Sequence, residues 1–208
     1  MRNHGEDRGS AVRRNAWLAT GAGLLAAAAH PNPLATDFAW PGGLLAWVAL
    51  VPLLAVREPR PGRLWRWGAW FGLIQFGVGV YWIALMPALR PLGPAVWLLL
   101  TLYLAAYPAV FMALYERLLA RGWPAWWSAG TLWVALEFLR AHALTGFLWL
   151  LMGVAQQQNP AMLALAEKTS NLQSRLKSAT RRLKIQTLLV AGGQREMIGQ
   201  EHIKEFLK

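Results

Sequence analysis

Five long apolar stretches, separated by short gaps, leave this chain few ways to fold. They run over residues 16–29 (extendable to about 33), 41–56, 67–86, 94–119 and 123–139. A helix that crosses a bilayer needs about 20 mostly apolar residues. Inside hydrocarbon every backbone N–H and C=O must be satisfied within the segment, which a helix achieves and an open loop does not. The expectation is an all-α membrane protein with about five transmembrane helices. Composition points the same way. The chain is 56% hydrophobic, its mean hydropathy is +0.30, and 15% of its residues are charged, where a soluble domain carries about 25%. Thirteen Trp residues suit a chain that meets the membrane–water interface repeatedly. A sixth apolar piece, 147–155, is too short to cross and reads as a re-entrant segment or an interrupted span. The first stretch has a second reading as a signal peptide, with Ala27-x-Ala29 as its cleavage site.

The net charge is +11, which attracts either nucleic acid or an anionic leaflet. Its placement decides between them. Arginines before the first stretch and after each of the five, with Arg117 at the end of the fourth counted in the gap it borders, number 4, 0, 4, 1, 2 and 1. That alternation is the pattern of cytoplasmic loops enriched in Lys and Arg. The expected topology has a cytoplasmic, basic amino terminus over residues 1–15, and residues 140–160 on the outer side. The body's charge then orients the protein, and no nucleic-acid partner is expected for it.

Usage changes near residue 160. Residues 1–160 contain twelve Arg, no Lys, all thirteen Trp and all twelve Pro; residues 161–208 contain five Lys and four Arg. The expectation is a membrane body over 16–160 and a basic helical tail over 161–208 of different origin; a soluble tail is the plainer alternative. Apolar residues at Leu165, Leu172, Leu176, Ala179, Leu183 and Val190 follow a period near 3.6. Residues 161–190 therefore read as one basic amphipathic helix, ended by Ala191-Gly192-Gly193, with a shorter helix over 200–206. Such a helix suits a membrane surface, a nucleic acid, a coiled coil or plain solvation. The side of the membrane it occupies is left open, because a basic tail on the outer side conflicts with the arginine alternation.

Few side chains are placed for chemistry. There is no Cys, which removes disulfides, thiolate metal sites and Cys nucleophiles. His4, His30, His142 and His202 have no metal-ligand spacing, and no phosphate loop or nucleophile elbow occurs. No cofactor, metal or catalytic residue is assigned. Glu137 and Arg140, three apart, share a helix face; they read as a polar site at the membrane surface or as a snorkelling pair anchoring the helix end. Gly68-x-x-x-Gly72 is a small-residue spacing that lets helices approach closely. Gly77 and Gly79 extend it, Gln75 lies mid-stretch, and Tyr81 and Trp82 read as interface anchors.

Three groups of residues in order carry a resemblance. They are Phe38-Ala-Trp-Pro41 with Ala46-Trp-Val-Ala-Leu-Val-Pro52; Gly68-x-x-Phe71-Gly72 running to Tyr81-Trp82-Ile83; and Trp133-x-x-x-Glu137-x-x-Arg140 with Thr145-Gly146-Phe147-Leu148-Trp149, Gly153 and Gln156. Over roughly residues 17–160 the chain resembles the amino-terminal membrane region of bacterial apolipoprotein N-acyltransferase. The resemblance implies an inner-membrane protein that works with membrane phospholipid and a lipoprotein substrate. Members move an acyl chain from phospholipid to the amino-terminal cysteine of a diacylated lipoprotein. Their chemistry lies in a nitrilase-like domain with a Glu–Lys–Cys triad, whose Cys forms an acyl thioester. This sequence departs in three ways: Leu148 stands where the motif has Pro, residues 161–208 are too few for that domain, and without Cys no thioester forms. The expected function is the membrane portion of such an acyltransferase, truncated or chimeric and inactive alone. The alternatives are a non-catalytic module that binds lipid or a partner subunit, and an unrelated small membrane or transporter subunit.

Overall fold

The structure, a computed structural model, describes residues 4–30, 39–143, 147–156, 159, 161–175 and 177–178. It divides into two units, Met1–Asn159 and Pro160–Lys208. In the first, α1 is His4–Ala28, α2 Ala39–Val48, α3 Val51–Leu54, α4 Trp65–Gly79, α5 Trp82–Leu85, α6 Gly93–Ala120 and α7 Ala125–His142. Short 3-10 turns lie at Pro87–Leu89 and Val154–Gln156. The described residues contain helices and no strands, as the apolar pattern requires. In the second unit, residues 161–175 form one helix, α8. The remainder of the expected tail helix, its glycine stop and the 200–206 helix lie outside the described residues.

The expected count of five spanning helices is narrowed by the structure. Among the described residues one helix, Gly93–Ala120, is long and apolar enough to cross a membrane. The other apolar stretches are divided or diluted. The 41–56 stretch becomes α2 and α3, broken around Ala49 and Leu50, and Pro52 at the start of α3 has no N–H to continue the ladder. The 67–86 stretch becomes α4 and α5, and the 15 residues of α4 span only about 22 Å at 1.5 Å per residue. α1 starts well before its apolar part and carries Arg13 and Arg14.

Small residues set the packing. Asn15, Ala19, Ala22 and Ala26 are buried at helical spacing along α1. A Cβ on Gly23 would lie 2.9 Å from the Phe71 carbonyl oxygen, so α1 lies close against α4. α4 lies equally close to α6. A Cβ on Gly68 would run into the carbonyl of Pro108, and one on Gly72 would lie 2.7 Å from the Ala105 Cα. Between these helices Phe71, Phe111, Met112 and Leu53 form the larger core cluster. Trp133 of α7 closes it edge-on, with ring centroids 6.2 Å from Phe71 and 5.2 Å from Phe111. Gln75 is fully buried there, and neither amide atom has a hydrogen-bond partner among the described residues.

α6 ends in a clear stop. The Gly122 N–H donates to the Leu119 carbonyl and the Trp123 N–H to that of Leu118. Gly122 has φ 80°, the left-handed turn that glycine adopts without a Cβ penalty. Pro124 follows, and α7 returns alongside α6.

Candidate functional site

The short apolar piece after α7 is a strap rather than a helix. Residues 147–153 make turns and end in the 3-10 turn at Val154–Gln156. Backbone groups outside a helix need other partners, and three consecutive residues of the strap are held by side chains. The Arg140 Nη2 donates to the Leu150 carbonyl at 3.0 Å. His30 Nε2 lies 2.9 Å from the Leu151 carbonyl. The Met152 N–H donates to Glu137 Oε1 at 2.8 Å. Farther along, Gln156 Nε2 donates to the Gly43 carbonyl at 2.6 Å. The strap is thereby tied to α7, to the end of α1 and to α2.

Leu150 is the strained point. Its φ is 58°, a left-handed conformation rare for a branched-chain residue. Its side chain is buried and rests on Gly79, where a Cβ would clash with it. The carbonyl grip on Leu150 and the absent Cβ of Gly79 together hold a backbone shape the sequence does not favour locally.

Glu137 and Arg140 come together in this grip. Their closest atoms are 3.9 Å apart. Arg140 is 4% exposed, so it does not reach outward as a snorkelling side chain would. Its guanidinium lies 5.1 Å from the centre of the Phe76 ring, a cation–π distance. The pair therefore acts on the strap from within the fold. Gly68 and Gly72 lie elsewhere, in the α4–α6 contact. Thr145 and Gly146 lie outside the described residues. Among the described residues no cluster of His, Asp and Glu could hold a metal ion.

Beside the strap is a cavity of about 550 Å³, lined by His30, Gly79, Trp82, Leu148, Trp149, Leu150 and Val154. Its walls are apolar apart from the His30 imidazole. Trp82 and Trp149 form one side, with ring centroids 4.6 Å apart at 33°. A pocket of this size and character suits an apolar chain with one polar group to orient it. Sequence reasoning singled out Trp82 and Trp149 but missed His30. Its only signal was a polar residue directly after an alanine-rich run, and its partner Leu151 is 121 positions away.

With this geometry in hand, comparison with known proteins is specific. The family model described as the apolipoprotein N-acyltransferase N-terminal domain matches residues 22–172. The match covers the strap and its holders and runs past Pro160 into α8. The chain is 33% identical to apolipoprotein N-acyltransferase of Geobacter metallireducens over 165 residues, covering 76% of this chain and 30% of that protein. It is 34% identical to the Pseudomonas aeruginosa protein of that name over 157 residues, covering 72% and 30%. For the Rhodopirellula baltica protein the identity is 32% over 139 residues, covering 60% and 24%. The chain thus spans less than a third of the length of these relatives.

Proposed function

The chain belongs to the apolipoprotein N-acyltransferase family through its N-terminal domain, and on that premise we propose that it is a multi-spanning module of the bacterial inner membrane that holds a phospholipid acyl chain beneath the 147–156 strap. The observation that carries this reading is the apolar cavity walled by Trp82 and Trp149. Exposed apolar faces support the membrane setting. On α6 Leu98, Leu99 and Leu102, and on α7 Trp126, Val134 and Phe138, are exposed, and patches of that kind mark a membrane or partner surface. In this reading five segments cross, the amino terminus is cytoplasmic, and the strap faces the outer side. The arginine-rich 57–64 loop and the strap sit at opposite ends of α4, which fits that orientation. Lipoprotein acylation is the family's reaction. This chain's part in it is to hold lipid, and acyl transfer is not assigned to its own side chains.

A phospholipid with a photoactivatable acyl chain, reconstituted with the chain in nanodiscs, tests the proposal. Cross-links should concentrate on 147–154 and Trp82, and Trp149→Ala should reduce them several-fold. Labelling no denser there than on the exposed Trp126 face would sink the cavity reading. Acyl transfer by the purified chain to a diacylated lipopeptide should be nil, and turnover would overturn the non-catalytic assignment.

A further inference from the structure

A second cavity, of about 370 Å³, lies at the other end of α4. Asn15 of α1, Glu58, Arg60, Arg63, Arg66 and the indoles of Trp67 and Trp70 line it. We propose that it binds the phosphodiester of an anionic phospholipid whose headgroup carries hydroxyl groups. This is a site separate from the strap, and it does not depend on the acyl-chain reading.

Three observations carry it. First, the positive charge is uncommitted. Among the described residues, none of Arg60, Arg63 and Arg66 makes an ion pair. The two nearby carboxylates are engaged otherwise. Glu58 accepts from the Arg60 N–H at 3.4 Å and from Trp67 Nε1 at 3.2 Å. Glu116 accepts from the N–H groups of Gly62 at 2.7 Å and Leu64 at 3.3 Å. The Gly62 and Leu64 amides just before α4 are therefore taken, and an anion here would be held by guanidinium groups, whose planar forks match phosphate oxygens. Second, Asn15 is 1% exposed. Its Nδ2 donates to the Arg57 carbonyl at 2.8 Å, while its Oδ1 has no partner among the described residues. A buried acceptor without a donor is costly. Phosphate oxygens are acceptors and cannot satisfy it, whereas a headgroup O–H, directly or through a water held beneath it, can. Third, the site has an interfacial wall. Trp70 donates to the Thr20 hydroxyl at 2.9 Å, and paired Trp residues of this kind sit at headgroup depth. Orientation by positive charge needs arginines only somewhere in the loop. It accounts for neither the cavity nor the unpartnered Asn15 oxygen.

Native mass spectrometry of the full chain, reconstituted with phosphatidylglycerol or phosphatidylcholine, reads the site directly. The wild type should retain phosphatidylglycerol and release phosphatidylcholine. Each near-surface arginine contributes about fivefold to attraction toward anionic lipid, so the R60Q/R63Q/R66Q variant should lose retention by on the order of 100-fold. R117Q/R121Q removes two arginines that do not line the cavity and should lose far less than the triple variant, since only the long-range attraction is weakened. Asn15→Asp keeps the side-chain size, places a negative charge on the cavity and should also release the lipid. Equal retention by wild type and the triple variant, or equal loss in R117Q/R121Q, overturns the site. Displacement of the lipid by millimolar inorganic phosphate would assign the site to a soluble phosphate and overturn the lipid as its occupant.

Discussion

Gly68 and Gly72 show how single residues set this fold. At Gly68 a methyl group would meet backbone, the Pro108 carbonyl, and at Gly72 it would meet Pro108 Cγ at 2.6 Å. Backbone cannot swing aside as a flexible side chain can, so α4 and α6 would have to separate. Gly68→Ala should destabilise by about 1–3 kcal/mol, the usual range for overpacking. Gly130 is the internal control, since a Cβ there meets nothing within 4 Å. Gly130→Ala should be neutral, or stabilising by about 0.5–1 kcal/mol through helix propensity. Thermal unfolding in detergent distinguishes them, and equal midpoints would show that close approach at Gly68 is not limiting. The glycine spacing was legible because small residues four apart carry their own geometry. His30 was not. Its role depends on a carbonyl far along the chain, and nothing local to residue 30 encodes that contact.

The strap belongs to the scale of elements. Sequence showed a run too short to cross, which follows from length alone. It did not show what would hold the run, because the holders come from α1 and α7 and meet only in the folded chain. The Glu137–Arg140 spacing was readable as one helix face; that both groups turn inward to backbone was not. Helix interruptions were missed for a related reason. Hydropathy sums over a window and cannot see the breaks around Ala49 and after Gly79. The grip makes a specific prediction. Glu137 Oε1 accepts from the Met152 N–H and also lies near the buried Arg140. Glu137→Ala frees one amide and leaves a buried charge without its counterion. Hydrogen exchange at Met152 should then speed up by roughly 10- to 100-fold, equivalent to about 1.4–2.7 kcal/mol of lost local protection. Exchange within α6 should be unchanged. A uniform increase across α6 as well would mean that the pair stabilises the whole unit rather than the strap.

At the scale of the molecule, two ends of one helix carry opposite chemistry. The loop before α4 and its first turn hold four arginines, Arg57, Arg60, Arg63 and Arg66, while the strap rests on Gly79 at its far end. If α4 crosses with its neighbours, these ends lie on different sides of the membrane, and the arginine count says which is inside. Among the described residues the structure identifies one helix of spanning length and composition, so topology has to be read from accessibility. The sequence makes this direct, because it contains no Cys and a single introduced thiol is the only one to react. Pro61 and Gly153 are both exposed, and a Cβ on Gly153 meets nothing within 4 Å. In intact cells with a permeable outer membrane, a membrane-impermeant maleimide should label Gly153→Cys at once. It should label Pro61→Cys only after the inner membrane is opened. Arginine placement predicts that direction and no other, since each charged loop is costly to translocate. Labelling of both before opening would place the two ends of α4 on one side, and the five-span alternation would fall with it. Labelling in the reverse order would keep the crossing and invert the orientation, leaving the arginines to be explained by what they bind.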